Sequence, residues 1–459
     1  MTLRLGRPTA QAVALWRAAA ADWPQAAARL SPAERARLSE QGFVAKPGAF
    51  ALVDLDGVRT ALVLGDDGDP FDFGRFATAL PPGRYRLSDS PTAARDALAF
   101  LLSSYRFDRY RAAGAPAPVL EAPPGLDGAE VERIANAVAG ARDLINTPAN
   151  DMGPADLAAH AETLALRYGA RCEVTIGPAL AQAYPLVEAV GRGAGARAPR
   201  VVDFVWDGAP RQANALRVTL VGKGVCFDTG GLDIKPAAGM ILMKKDMGGA
   251  AAALAAAEMI MDAGAPVRLR VVLPIVENAI SSTAFRPSDI YPSRLGLTVE
   301  VGDTDAEGRL ILADALAAAD ADAPDLLIDF ATLTGAARVA LGPDLPPFFT
   351  QDEALAAAIA AAGARVADPV WRLPLWAPYA KGLESPIADL VSVAPGGFAG
   401  AIIAALFLSR FVSKARAYAH FDIYGWTPKA KPGRPEGGEP QAARLVYDLV
   451  KTRAAATSN

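Results

Sequence analysis

Leu216-Arg-Val-Thr-Leu-Val-Gly-Lys-Gly-Val-Cys-Phe-Asp-Thr-Gly-Gly231 opens as an apolar run and breaks after Gly222 into a glycine-rich turn carrying Lys223 and Asp228. α/β proteins place their sites where a strand ends in such a turn. The arrangement recurs downstream: Leu297-Thr-Val-Glu-Val301 reads as a strand, and Asp303-Thr-Asp-Ala-Glu-Gly-Arg309 follows it. Around these two stretches, residues 201–206, 267–273, 326–330 and 417–424 also read as strands. Helical patterns at 249–263, 310–321 and 399–412 lie between them. The alternation predicts a large α/β domain with a central mixed, largely parallel sheet flanked by helices.

The first 125 residues have a different texture and predict a smaller N-terminal α/β domain. Phe50-Ala-Leu-Val-Asp and Thr60-Ala-Leu-Val-Leu-Gly read as strands, and residues 10–23 and 93–106 as helices. The proline-rich break at 115–125 reads as a linker. A linker helix over 126–148 then carries Val131, Ile134, Val138, Ala141 and Ile145 on one stripe. Pro148 stops it, and residues 149–459 form the predicted catalytic domain.

Composition narrows the function. The chain has 459 residues, 52% of them hydrophobic and 21% charged, which excludes a disordered protein. Net charge is 46 − 50 = −4, so no basic excess is available to neutralise phosphates, and a dedicated nucleic-acid binder is not expected. Two cysteines, Cys172 and Cys226, rule out a disulfide scaffold or a cysteine-rich zinc site. With His160 and His420 as the only histidines, any metal must be held mostly by carboxylates. The first residues lack the apolar run of a signal peptide, and the longest apolar stretch, 399–408, is about half of the ~20 residues a bilayer requires. A soluble, cytoplasmic protein without a membrane partner is expected.

Gly222-Lys-Gly224 is not a phosphate loop, because the spacing G-x-x-x-x-G-K-[ST] is missing. A calcium loop is a nearer alternative. Asp303, Asp305, Glu307 and Gly308 fall at offsets 1, 3, 5 and 6, and Asp314 at 12, but a bidentate Glu at 12 and a preceding helix are absent. Taken singly, each acidic turn also reads as a solvated loop. Gly230-Gly231 and Gly248-Gly249 argue otherwise, since they let backbone approach something closely.

Gly-Lys-Gly-x-x-Phe-Asp-Thr-Gly-Gly from Gly222, Ile234-Lys235, Met243-Lys-Lys-Asp246-Met-Gly-Gly and Thr304-Asp-Ala-Glu-Gly-Arg-Leu310 together resemble the leucyl aminopeptidase family of two-metal exopeptidases. Asn146-Thr-Pro-Ala-Asn150, Ala331-Thr-Leu-Thr-Gly335, Trp371-Arg-Leu-Pro-Leu375, Ile387-Ala-Asp389 and Ala419-His-Phe-Asp-Ile423 extend the likeness over residues 130–450.

The resemblance implies that Asp228, Asp246, Asp305, Glu307 and Lys223 bind two divalent metals. Four carboxylates would balance two dications, and Lys223 would ligate as the neutral amine, its pKa lowered by a nearby cation. Zn²⁺ or Mn²⁺ is expected, with Mg²⁺ or Co²⁺ also compatible. A water bridging the metals would attack the scissile carbonyl of a peptide substrate, and Lys235 would stabilise the oxyanion. Arg309 would hold a bicarbonate general base, with the backbone amides of Ala306, Gly308 and Leu333 completing the anion site. Met243 and Thr332 match positions lining the pocket for the substrate's first side chain, although plain core packing explains them equally. Asp303 stands where the family usually has Asn, which would make that pocket more polar. Members are typically homohexamers. His160 reads as a helix-surface residue and His420 as a hydrogen-bonded residue of a buried strand.

Overall fold

A computed structural model describes the whole chain except Met1, Asp56, Asp67, Ser88, Asp89, Ser90, Ala112, Ala113, Ala115, Pro124, Arg211, Ala213, Ser458 and Asn459. Ala115 and Pro124 of the expected linker thus lie outside the described residues. The chain divides into two compact units, Met1–Ala139 with Lys429–Glu436, and Gly140–Pro428 with Gly437–Asn459.

The first unit holds a five-stranded sheet of β1 (Val13–Ala19), β2 (Phe50–Leu55), β3 (Val58–Gly65), β4 (Arg84–Leu87) and β5 (Val119–Glu121), in the order β2-β3-β1-β4-β5. Residues 10–23, read as a helix, instead supply the central strand over Val13–Ala19, with helical turns only from Ala20 onward. β1 runs parallel to both β3 and β4. Ladder bonds on both edges and burial of Leu15 among Val63, Phe73 and Phe76 outweigh alanine's helix preference. Helix α1 (Ala93–Ser103) covers the sheet with Ala97, Phe100 and Leu101. Helix α2 (Gly128–Asn146) lies within the expected 126–148, and its Val131, Ala135 and Ala139 join the first unit's core.

The second unit is built on a nine-stranded sheet. Its strands are β6 (Arg171–Ile176), β7 (Arg200–Asp207), β8 (Leu216–Gly222), β9 (Gly224–Asp228), β10 (Val267–Asn278), β13 (Leu326–Ala331), β14 (Pro347–Phe349), β15 (Trp371–Arg372) and β17 (Tyr418–Asp422). The order is β15-β14-β17-β13-β8-β10-β7-β6, with β9 beside β10. β8, β10, β13 and β17 are mutually parallel where they pair, while β6, β7 and β14 add antiparallel edges. The run at 297–301 lies outside this sheet. It forms β12 (Thr298–Glu300) of a three-stranded sheet with β11 (Ile290–Pro292) and β16 (Leu390–Val391).

Helices α3 (Gly248–Asp262), α4 (Glu307–Asp320) and α5 (Gly400–Ser409) follow β9, β12 and β16 in the chain. Every residue of α4 is buried, and two of its three acids are satisfied by backbone donors. Asp314 accepts from the amides of Leu186, Val187 and Arg294, and Asp320 from those of Ser413, Lys414 and Ala415. α3 packs unusually close to the sheet because its start has no bulk. A Cβ on Gly249 would lie 2.2 Å from the Phe330 carbonyl oxygen, and one on Gly222 would lie 2.6 Å from Ala250 Cα. Among the described residues, no helix is long and apolar enough to cross a membrane.

Candidate metal centre

The parallel strands β8 and β13 end together, β9 continues along β10 to Asn278, and the ends carry the charge. Lys223 follows β8, Asp228 closes β9, and Thr332 follows β13. Close packing fixes the lysine's backbone: its amide donates to Phe330 O at 3.0 Å, and its carbonyl accepts from Ala250 at 2.8 Å. The short 3₁₀ turn Met243–Met247 delivers Asp246 just before α3, and the turn Thr304–Ala306 delivers Asp305 just before α4, which Glu307 begins.

These groups converge. Lys223 Nζ lies 2.8 Å from Asp246 Oδ2 and 2.9 Å from Glu307 Oε1, and donates to Thr332 O at 3.0 Å. Lys235 Nζ lies 2.8 Å from Asp228 Oδ2 and pairs with Asp305 Oδ1 as well. Asp228, Asp305 and Glu307 each offer an oxygen within 4.8 Å of the others. The structure therefore brings together all five residues expected as ligands, with Lys235 among them.

The cluster is electrostatically unfinished. Burial, then the charge of Asp228, pushes the Glu307 carboxyl well above its ordinary range and Asp305 up to about 6. Burial opposes the charge on Lys223, but Asp246, Glu307 and Asp228 outweigh it and hold the amine above its usual pKa. Asp246 is held low, since Lys223 and Lys245 overcome its burial. Glu307 Oε2 is buried with no partner within the described residues, while Glu307 Oε1, Asp246 Oδ2 and Asp305 Oδ1 have only the two lysine ammoniums beside them there. Buried carboxylate oxygens left in this state require cations. An oxygen-rich nest with one amine suits divalent metals.

The remaining expected residues are placed as follows. Arg309 is buried, donates through Nη1 to Ser392 O at 2.7 Å, and leaves Nε without a partner. Burial lowers its pKa to about 10, so it stays charged at neutral pH. Gly308 lies against Lys223, where a Cβ would come within 2.5 Å of Cε. Two of the expected anion-binding amides are already engaged: Ala306 N donates to Asp303 O at 3.2 Å and Leu333 N to Asp422 Oδ1 at 3.0 Å. Met243 is buried, and the Thr332 hydroxyl donates to Asp246 Oδ1 at 2.8 Å. Asp303 caps the 3₁₀ turn, with Oδ1 accepting from Asp305 N at 2.8 Å. Asp314 spends both its oxygens on amides elsewhere, which leaves the calcium-loop pattern without its twelfth position. His160 is half-buried on the helix Pro154–Arg167, and His420 is buried with Nδ1 2.7 Å from Asp329 Oδ1.

Sequence reasoning missed the residues that hold the ligands in place. Asn278, at the end of β10, donates from Nδ2 to Asp228 Oδ1 at 2.8 Å and to Thr304 O at 3.0 Å. Asp233 ties the two glycine-rich stretches together: its Oδ2 accepts from Thr304 N, and its amide donates to Thr304 Oγ1, each at 2.8 Å. A lone asparagine closing a 12-residue apolar strand was the available signal for the first.

Comparison with known proteins agrees with this geometry. Residues 139–447 match the catalytic domain of the cytosol aminopeptidase family, and residues 14–123 match the N-terminal domain of the M17 aminopeptidases. The chain belongs to the cytosol aminopeptidase family. A probable cytosol aminopeptidase of Mycobacterium tuberculosis H37Rv is 43% identical over 316 residues, covering 66% of this chain and 61% of that protein. One from Rhodococcus jostii is 41% identical over 342 residues, covering 71% and 67%. The matched stretch thus spans about three fifths of the length of the first of these relatives. The crystal structure of the Coxiella burnetii cytosol aminopeptidase superposes with a TM-score of 0.92 at 41% identity, covering 98% of this chain and 99% of that one. The bottromycin maturation enzyme BotP, in complex with Mn, gives 0.85 at 34% identity, covering 97% and 100%.

Proposed function

We propose that this chain is a dinuclear metal-dependent aminopeptidase that releases the N-terminal residue of peptides. The observation that carries the reading is the convergence of four carboxylates, Asp228, Asp246, Asp305 and Glu307, on two lysines, with the buried Glu307 Oε2 left without a partner within the described residues. Asp228, Asp246, Asp305, Glu307 and Lys223 would hold the two cations, and Lys223 must give up its proton to do so. Bound there, the metals supply a polarised carbonyl and an activated water, and a bicarbonate beside them supplies a general base.

The chain's own residues supply the rest. Lys235 is the more open of the two lysines, its side chain 14% exposed against 3% for Lys223. Its ammonium is placed to stabilise negative charge developing on the substrate's carbonyl oxygen. Arg309 keeps its charge in a buried setting and has Nε to offer a bicarbonate. Gly308, in the first turn of α4, adds an amide at the positive end of the helix. Met243 and Thr332 would border the pocket for the first side chain, with Asp303 adding polarity.

Mn²⁺ is the first metal to try, because BotP is known in complex with it. Protein stripped by chelator should not hydrolyse leucine p-nitroanilide, and Mn²⁺ or Zn²⁺ should restore turnover. Metal-independent turnover, or none with any divalent ion, removes the reading.

A further inference from the structure

A polar column on β13 and β17 is not used by the metal centre. The two strands pair in parallel, with Leu327 opposite Tyr418, Asp329 opposite His420 and Ala331 opposite Asp422. Tyr418, His420 and Asp422 are two apart in sequence and so share one face. The Tyr418 hydroxyl donates to Asp329 Oδ2 at 2.8 Å, and His420 Nδ1 sits 2.7 Å from Asp329 Oδ1. Phe349 stacks on the imidazole with centroids 5.7 Å apart. Asp329, His420 and Asp422 are all buried, and His420 Nε2 meets no partner within the described residues.

Asp422, at the active end of the column, fixes a turn. Its Oδ1 accepts from the amides of Leu333 at 3.0 Å and Thr334 at 3.1 Å, and its Oδ2 from the Thr334 hydroxyl at 2.6 Å. The residue before that turn, Thr332, touches the metal centre twice. Its carbonyl takes Lys223 Nζ, and its hydroxyl donates to Asp246. Hydrogen bonds therefore lead from Asp422 to two proposed ligands.

Asp329 and Asp422 are both buried on this column, and buried carboxylates need a counter-charge or hydrogen bonds. The charged or titratable groups facing the imidazole are Asp329 from β13, Tyr418 and Asp422 from β17, and Arg309 from α4. β14 and α5 have no charged residue. Burial resists a charge on His420, but the two aspartates prevail and raise its pKa above the ordinary value. Burial in turn lifts Asp422, opposed by His420 and by its bonds from Thr334 and Leu333.

We propose that Asp422 is a positioning residue of the hydrolytic site, clamping the turn on which Lys223 and Asp246 lean, and that the imidazolium of His420, oriented by Asp329, is the counter-charge of that clamp. The proposal rests on the aminopeptidase reading, and two independent measurements test it in the full chain. In Mn²⁺-loaded protein, Asp422→Asn keeps the shape but loses the charge. It should lower kcat about tenfold or more with KM within about twofold, while metal content and Tm stay at wild-type values. Asp329→Asn should produce a smaller loss of the same kind.

Imidazole ¹⁵N NMR reads the counter-charge directly, because the chain has two histidines and His160→Gln identifies the other. Both His420 nitrogens should carry protons at neutral pH in the wild type, and one should lose its proton in Asp329→Asn. A neutral His420 in the wild type overturns the counter-charge, and wild-type kcat in Asp422→Asn overturns the clamp. A kcat loss that merely tracks lost metal or lowered Tm overturns it too. If the wild type shows no metal-dependent turnover, the aminopeptidase reading fails and takes the clamp's catalytic role with it, whereas the NMR result still decides the imidazolium.

Discussion

Gly308→Ala separates the site's needs from those of the helix that carries it. A Cβ at this position would lie 2.5 Å from Cε, 2.6 Å from Nζ and 2.8 Å from Cδ of Lys223. Comfortable carbon contacts begin near ~3.5 Å, so the lysine end must move by about 1 Å. It has little room to move, because Nζ is held at 2.8 Å by Asp246, 2.9 Å by Glu307 and 3.0 Å by Thr332 O. Helix propensity alone points the other way, since alanine is favoured over glycine by up to about 1 kcal/mol within a helix. Melting of the metal-free variant should therefore stay near the wild-type temperature. Displacing a ligand by about 1 Å should cost on the order of 100-fold in kcat, with weaker uptake of at least one metal. Leucine p-nitroanilide kinetics on Mn²⁺-reconstituted protein and elemental analysis of bound metal give both numbers. Wild-type kcat with full metal content and an unchanged Tm would refute the idea that Lys223 belongs to the metal nest.

Asp228→Asn and Glu307→Gln should each abolish hydrolysis while circular dichroism shows an intact fold; near-wild-type rates in either would undo the ligand assignment. Arg309→Ala should keep both metals yet turn over slowly, with no rescue by added metal, as elemental analysis beside kinetics will show. Lys223 and Glu307 both have raised pKa values in the metal-free chain, so cation uptake must expel protons and strengthen as pH rises. Calorimetry in buffers of different ionisation enthalpy should detect that release. In the first unit, burial tends to raise the Glu121 pKa, but Thr9, Arg84 and Arg86 lower it from 4.5 to about 2. Its contribution is complete above pH 4.5 and lost as pH falls towards about 2. Glu121→Gln should therefore flatten the acid limb of the stability curve in that window.

The readability of this chain follows from where its information is stored. Strands β8, β10 and β13 are largely buried on both faces and announce themselves as predominantly apolar runs. Lys223, Asp228, Asp246, Asp305 and Glu307 sit in short contiguous motifs, and the resemblance of those motifs to the family is what singles them out. β1 could not be read locally, because its seven residues, Val-Ala-Leu-Trp-Arg-Ala-Ala, become a strand only through partners some 40 to 70 positions away. The same limit hid Asn278, Asp233 and Asp422. Each is an ordinary polar residue until the fold sets it 2.6–3.1 Å from a group in another segment. The expected use of the Leu333 amide shows the reverse: a pattern suggested a free donor, and a distant aspartate had already claimed it.

Eight residues, Lys429–Glu436, leave the second unit to belong to the first, where Gly433 N donates to Ser103 Oγ at 2.7 Å. Neither unit is therefore one continuous stretch of gene. Cloning residues 1–139 alone would omit a piece of that body, and deleting them would strand a short loop without its companions. Dissecting the first unit from the second calls for a circularly permuted or loop-shortened design, because a simple stop codon divides the polypeptide at a place where the fold does not.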